Sequence, residues 1–168
     1  MKILITGICG FAGSNIAKDL LQNCPNMHIW GLDNFSRKGS DHNISMLNGI
    51  GVNLIRADIR LQSDIDILPR CDWVIDCAAN PSVLAGTDGQ SSSRQLLENN
   101  LWGTVNLLEY CKQYQAGLIL LSTSRVYSAS ELAKLPTRSS GNRFELNEST
   151  VEGISPNGIA EDFPTTAP

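Results

Sequence analysis

The chain has 168 residues, of which 42% are hydrophobic and 18% charged, with a formal net charge of −4. That length amounts to one domain or slightly more, and the composition excludes a disordered chain or a highly charged fibrous one. The acidic balance gives no basic footprint for a nucleic acid, and the longest apolar stretches, such as Leu118 to Leu121, are far too short to span a membrane.

In chain order, Lys2 to Thr6 (KILIT) is a continuous apolar run that ends in a glycine cluster. Gly7, Gly10 and Gly13 interrupt what would otherwise mimic a signal peptide, so a cytoplasmic location is expected. Ile16, Ala17, Leu20 and Leu21 then recur at helical spacing. Ile29 to Leu32, Asn53 to Ala57, Trp73 to Ala78 and Gly117 to Ser122 are four further strand candidates. Nearly unbroken apolar strands imply burial on both faces, as in a parallel sheet. Leu97, Leu101, Val105 and Leu108 mark a second long helix, closing at Cys111 or Lys112. Strands alternating with helices predict an α/β fold, a Rossmann-like doubly wound parallel sheet.

From Ser128 onward the texture changes. This stretch carries four of the seven prolines, with three positive against six negative charges, and no sustained apolar period. It is long for a connection inside a compact domain. Three readings stand: a functional loop region, a poorly ordered tail, or a segment lacking its packing partner.

The five cysteines are scattered, without a Cys-x-x-Cys pair, and only His28 and His42 accompany them. Such a set is neither a disulfide framework nor a zinc site, so buried thiols and no metal are expected.

The sequence Thr6-Gly7-Ile8-Cys9-Gly10-Phe11-Ala12-Gly13 follows the first strand and opens a helix. Gly7 suits the positive φ of a tight turn. Gly10 lets the backbone approach a pyrophosphate, and Gly13 lets helix and strand pack closely. The helix N-terminus stabilises an anion there without a lysine. Asp33 ends the second strand, 20 residues past Gly13. A carboxylate at that place accepts hydrogen bonds from the adenosine ribose and repels a 2′-phosphate, which favours NAD over NADP. The alternative is a turn aspartate starting the Asp33-Asn34 loop, and Arg37 with Lys38 keeps a phosphorylated cofactor open. Asp58, after the third strand, is placed to meet the adenine edge or to cap a helix.

Six motifs in order resemble the N-terminal part of an extended short-chain dehydrogenase/reductase of the NAD-dependent epimerase/dehydratase kind. They are TGICGFAGS from Thr6, GLDNFSRKG from Gly31, RADIR from Arg56, DCAANPS from Asp76, NNLWGTVNLLE from Asn99 and LSTSRVYS from Leu121. Within that family the DNFSRKG loop and the STSRVY strand end are most similar to CDP-sugar 2-epimerases acting on paratose or tyvelose. The resemblance implies an NAD-binding Rossmann domain over residues 1–128. Residues 129–168 would be a loop or tail region leading towards a catalytic helix and a substrate domain for a nucleotide sugar.

By the same resemblance, Gly7, Gly10, Phe11 and Gly13 line the pyrophosphate, and Asp33, Asn34, Ser36 and Arg37 surround the adenosine. Asp58 and Ile59 flank the adenine, while Ala78, Ala79 and Asn80 pass beneath the middle of the cofactor. Asn100 is implied to brace the active-site strand, against the plainer reading of an ordinary polar helix residue. Thr123 would hydrogen-bond the substrate oxygen during hydride transfer, or else merely satisfy strand backbone. The family's 4,6-dehydratases carry an Asp-Glu pair after that Thr. Ser124-Arg125 stands here instead, which favours an epimerase.

The family's general base is a Tyr with a Lys four residues on, whose ammonium favours the phenolate. Here Tyr110 is followed at that distance by Tyr114, Tyr114 by Leu118, and Tyr127 by Glu131, so no Tyr-x-x-x-Lys occurs. Family members place it soon after a segment resembling Asn157 to Pro164. Two expectations follow: an N-terminal portion of a nucleotide-sugar epimerase unable to complete catalysis alone, or a complete non-catalytic NAD-binding module or partner-dependent subunit. Family members often dimerise through a pair of helices. Only one of these, around Leu96 to Tyr114, is present, which leaves a homodimer in doubt.

Overall fold

The run Lys2–Thr6 forms β1, and its alternation divides the interior. Ile3 and Ile5 enter one apolar cluster with Ile8, Ala17, Ile29 and Leu47, whereas Leu4 enters the opposite one with Leu32, Val74, Leu107 and Tyr110. Strands buried on both faces need helices on both faces, and the chain supplies them. This computed structural model describes residues 1–80, 82, 86, 92–123, 126–147, 151–155 and 157–165.

After β1 come α1 (Phe11–Asn23), β2 (His28–Asp33), a 3₁₀ turn (Ser40–Asn43), α2 (Ile44–Gly49), β3 (Asn53–Arg56), α3 (Gln62–Asp66) and β4 (Trp73–Asp76). Then follow α4 (Ser93–Leu97), a π-helical turn (Glu98–Trp102), α5 (Gly103–Tyr114) and β5 (Gly117–Leu120). The five strands pair in parallel in the order β3-β2-β1-β4-β5. Ile5 thus lies between Gly31 and Ile75. Strand order reverses between β1 and β4, where an open α/β sheet leaves a crevice beyond the carboxyl ends of its strands. Burying a side chain such as Leu4 or Ile5 completely contributes about 2 kcal/mol each before entropic costs.

The strands expected to reach Ala57 and Ser122 end at Arg56 and Leu120, and two further boundaries move for visible reasons. The apolar run from Trp73 leaves the ladder at Asp76 because the next amides are bonded elsewhere. Cys77 and Ala78 N–H both donate to Thr6 Oγ1, each at 3.2 Å. The second long helix starts early, at a capping box between Ser92 and Gln95. It runs past Lys112 to Tyr114, where Gln115 turns left-handed at φ 54°.

Contacts divide the chain into compact units at Met1–Leu121 and Ser122–Pro168. In the second unit, α6 (Ala129–Ala133) precedes a hairpin of β6 (Thr137–Ser140) and β7 (Arg143–Leu146), then a smaller one of β8 (Ile154–Ser155) and β9 (Gly158–Ile159). Arg138 and Arg143 both pair with Glu145, and Tyr127 meets the Phe163 ring edge-on at 5.3 Å. In the first unit, the outer strand β5 exposes Ile119 and Leu120, and the α4–α5 helix exposes Leu97, Leu101, Trp102 and Leu108. No helix among the described residues is long and apolar enough to cross a membrane.

Candidate functional site

The crevice at the β1/β4 reversal is a cleft of about 570 Å³. It is lined by Gly7 and Gly10 from the glycine turn, Leu32 to Asn34 with Ser36, Arg37 and Ser40 from the segment after β2, and Ala57 and Ile59 after β3. Cys77 to Asn80, Ser82 and Asn99 complete it. Most of the residues expected to hold the cofactor therefore converge. Phe11, Gly13, Asp58 and Asn100 sit outside the lining.

Gly7 takes φ 59°, and a Cβ there would lie 2.8 Å from the Cys77 carbonyl oxygen. The turn is thus pressed against the chain leaving β4, and only glycine fits both constraints. Gly13 works from behind: a Cβ on it would lie 2.5 Å from Gly7 O, so helix and turn are in direct backbone contact. Gly10 is the N-cap of α1 and no side chain caps that helix. Its first amides and positive dipole end are therefore left for an anion. Phe11 opens α1 and is itself 85% exposed.

Asp33 is aimed by two backbone donors. Cys9 N–H gives to Oδ2 at 3.0 Å and Phe35 N–H to Oδ1 at 2.8 Å. A carboxylate has about four acceptor sites, so two remain for a pair of ribose hydroxyls. Phe35 itself sits at φ 56°, an uncommon conformation for a bulky residue, with Arg56 over its ring at 5.7 Å.

Asp58 is engaged within the protein, by Arg60 at 2.6 Å and by the Asn34 amide at 3.1 Å. Burial alone would raise its carboxyl, but the hydrogen bonds and charge of Arg60 and the Asn34 amide hold it below the usual carboxylate range. The N-cap of α3 is Leu61, so Asp58 does not cap that helix.

The floor of the cleft hangs on two clamps. Buried Asp76 accepts from the Thr6 hydroxyl through Oδ1, from Ala78 N–H at 3.1 Å, and from the Thr104 hydroxyl at 3.4 Å. Asn100 accepts from Asn80 N–H at 2.8 Å and donates to Asn80 O at 3.2 Å, gripping the backbone of one residue through both ends of its amide. Among the described residues it is this stretch after β4, rather than β5, that Asn100 braces. The π-helical turn around it and Gly103, whose Cβ would lie 2.4 Å from Ile59 Cδ1, bring the helix this close.

Cys9 and Cys77 are pushed up to about 11, by burial first and then by the charge of Asp33 and Asp76 respectively. Both are neutral thiols at ordinary pH. Tyr110 donates from its hydroxyl to Pro69 O at 2.6 Å and accepts from Cys71 N–H at 3.0 Å. Burial raises its phenol well above the ordinary value, so it props a loop and is no base. Thr123 is exposed, three residues past β5 and within the second compact unit. Ser124 and Arg125, which carried the contrast with dehydratases, lie outside the described residues. Among the described residues no three His, Cys, Asp or Glu side chains gather as metal ligands.

Cys77, Ala57 and Ser40 line the cleft without having been singled out from sequence. The first two follow the carboxyl ends of β4 and β3, a position that alone would have marked them. Thr6 and Asp76 bond to each other across 70 residues of chain, which no local pattern announces, whereas Arg60 pairs with Asp58 only two residues away.

Residues 3–148 match the NAD dependent epimerase/dehydratase family. CDP-paratose 2-epimerase of Salmonella typhi is 34% identical over 164 residues, covering 96% of this chain and 46% of that protein. UDP-glucuronic acid decarboxylase 6 of Arabidopsis thaliana is 30% identical, covering 76% of this chain and 35% of its own length. Among solved structures, UDP-glucuronic acid 4-epimerase from Bacillus cereus, in complex with UDP-glucuronic acid and NAD, superposes with a TM-score of 0.63. It is 34% identical, over 76% of this chain and 42% of that one. The chain thus spans less than half the length of these relatives.

Proposed function

Since the chain belongs to the NAD-dependent epimerase/dehydratase family, we propose that it is the NAD-binding portion of a nucleotide-sugar epimerase. The observation that carries the reading is the cleft itself, where the glycine turn and a backbone-aimed Asp33 carboxylate, joined through Cys9 N–H, line one groove. Those residues fit the cofactor: uncapped amides for a pyrophosphate, two free carboxylate sites for a ribose, and a floor close enough to exclude side chains.

When bound, NAD supplies a hydride acceptor for transient oxidation of a sugar carbon and a donor for its return. This chain's residues would do the holding. Gly7 and Gly10 admit the pyrophosphate, Asp33 orients the ribose and repels a 2′-phosphate, and Asn80, fixed by Asn100, supports the middle of the cofactor. Thr123 would hydrogen-bond the substrate oxygen that loses and regains a proton. The 168 residues contain no Tyr-x-x-x-Lys, so we assign them cofactor holding and no proton-transfer base. Similarity to CDP-paratose 2-epimerase over nearly the whole chain favours a CDP-sugar substrate.

That missing pair also favours a second reading, an NAD-binding module without catalysis of its own. Titration of the chain with NAD and with NADP, followed by melting temperature, tests what both readings share. NAD should raise it in a concentration-dependent way and NADP far less; no shift with NAD would refute both. Epimerase activity towards CDP-sugars by a product of the same gene extended past Pro168, lost in Thr123→Ala, separates the first reading from the second.

A further inference from the structure

We infer that Asn43 is a positioning residue for the glycine turn, acting through the Cys9 carbonyl on the amides that open α1. The inference rests on the cofactor reading above and deepens it at the glycine turn.

Cys9 stands one residue before the N-cap of α1. The first bond of that helix runs from Ser14 N–H to Gly10 O at 3.1 Å, which leaves the Cys9 carbonyl outside the helical ladder. Cys9 is only 1% exposed, and a carbonyl shut away from water needs a donor. Asn43 supplies it from 34 residues away, giving Nδ2 to Cys9 O at 2.8 Å. The N–H of the same residue goes to Asp33 Oδ2 at 3.0 Å. Both backbone groups of Cys9 are therefore held by side chains from one stretch, the end of β2 and the turn before α2. The peptide joining Cys9 to Gly10 is pinned twice, its carbonyl by Asn43 and its N–H by Gly7 O at 3.0 Å. A pinned peptide fixes the direction in which α1 sets out. It thereby aims the Phe11 and Ala12 amides, at a helix end without a side-chain cap, towards an anion.

The helix that follows Asn43 does not account for the residue. Asparagine favours N-cap positions because it accepts from helix amides, yet Asn43 makes no such bond to α2. Its backbone is already helical, at φ −84° and ψ −9°, because the 3₁₀ turn Ser40–Asn43 runs straight into α2. The side chain is left for the glycine turn. Since the acceptor there is a carbonyl, only a donor serves, and an ionised aspartate of the same shape does not.

The test compares Asn43→Ala and Asn43→Asp with the unaltered chain. Amide exchange at Cys9 is read without ligand, and NAD affinity is read at about pH 7.5 and about pH 4.5. At the higher pH both changes should speed Cys9 exchange and weaken NAD by about five- to tenfold, as one lost hydrogen bond implies. Aspartate suits the start of α2, so Asn43→Asp separates the tie from the stability of that helix. At the lower pH the introduced carboxyl, facing a carbonyl, takes up its proton and can donate. Its affinity gap to the unaltered chain should then close by about threefold or more, while that of Asn43→Ala stays. Asp33, Asp41 and His42 titrate in all three chains, so comparison at each pH removes their share.

Unchanged Cys9 exchange in Asn43→Ala overturns the inference. So does a lower melting temperature with NAD affinity unaltered, which marks a brace that stability alone needs. An Asn43→Asp gap equally wide at both pH values overturns it too, because donation is then not what the turn requires. If the unaltered chain does not bind NAD, the cofactor reading falls, and Cys9 exchange alone decides whether Asn43 holds the turn.

Discussion

Gly13→Ala sets two effects of known size against each other. Alanine in place of glycine inside a helix gains about 1 kcal/mol from propensity alone, and α1 would collect that gain. The new methyl carbon, however, would lie 2.5 Å from Gly7 O and 2.7 Å from Ile8 Cα. Both neighbours are backbone, so no rotamer change relieves the overlap. The turn that carries Gly7 at φ 59° must shift instead, and Gly7 is itself wedged against Cys77. Overpacking of this kind costs about 1–3 kcal/mol, and rigid neighbours place it in the upper half of that range. The net expectation is a loss of about 1–2 kcal/mol, or a fall in melting temperature of about 2–4 °C per kcal/mol for a domain this size.

Gly49→Ala is the matched control, also in a helix but with nothing within 4 Å of its Cβ, and it should be neutral or stabilising. Urea unfolding followed by tryptophan fluorescence is well suited, because Trp30, Trp73 and Trp102 all lie in the first compact unit. A Gly13→Ala midpoint equal to or above that of Gly49→Ala would refute the close approach of helix and turn.

Further expectations concern the cleft and its titrating groups. Asp33→Ala should weaken NAD at least tenfold and narrow the preference over NADP, measured by calorimetric titration; an unchanged preference removes Asp33 from ribose recognition. Asn100→Ala deletes both hydrogen bonds to Asn80, at about 1 kcal/mol each, and should raise amide exchange at Asn80 while weakening NAD severalfold. With thiols near 11, Cys9 and Cys77 should be about one part in a thousand thiolate at pH 8. Exposed Cys24 should therefore be alkylated first by iodoacetamide, as peptide mapping would show. The lowered Asp58 carboxyl contributes stability that is full above its unfolded value of about 4 and lost as pH falls through the folded one. The gap in urea midpoint between Arg60→Met and the unaltered chain should hold from pH 7 to 5 and shrink below about pH 4. A gap that is constant down to pH 3 counts against that charge pair.

The sheet was legible because each of its strands is an apolar run with its own punctuation, as in Lys2 to Thr6 before Gly7. The helices α2 and α3 were not, since six and five residues cannot display a 3.6-residue period. The hairpins after Ser128 escaped for the same reason: four-residue polar strands such as Thr137–Ser140 show too little alternation to register. In the cleft, Gly7, Gly10 and Asp33 could be named because their spacing after β1 and β2 brings them to one groove. Asn100 could be named as a brace, but its bonds to Asn80 reach 20 residues back along the chain, which no spacing announces. The tie from Arg60 through Asp58 to Asn34 joins two loops 24 residues apart, a distance no local pattern spans.

The carboxylate of Asp33 does two jobs with one group, and this limits how the cofactor preference could be redesigned. Its Oδ2 holds the amide of Cys9 in the glycine turn, while its Oδ1 holds the loop that follows β2. Removing the carboxylate outright to admit a 2′-phosphate would therefore also unfasten the glycine turn. An engineered NADP form would need a neutral acceptor left in place, as in Asp33→Asn, or a new anchor for Cys9 N–H, before any added arginine could be expected to help.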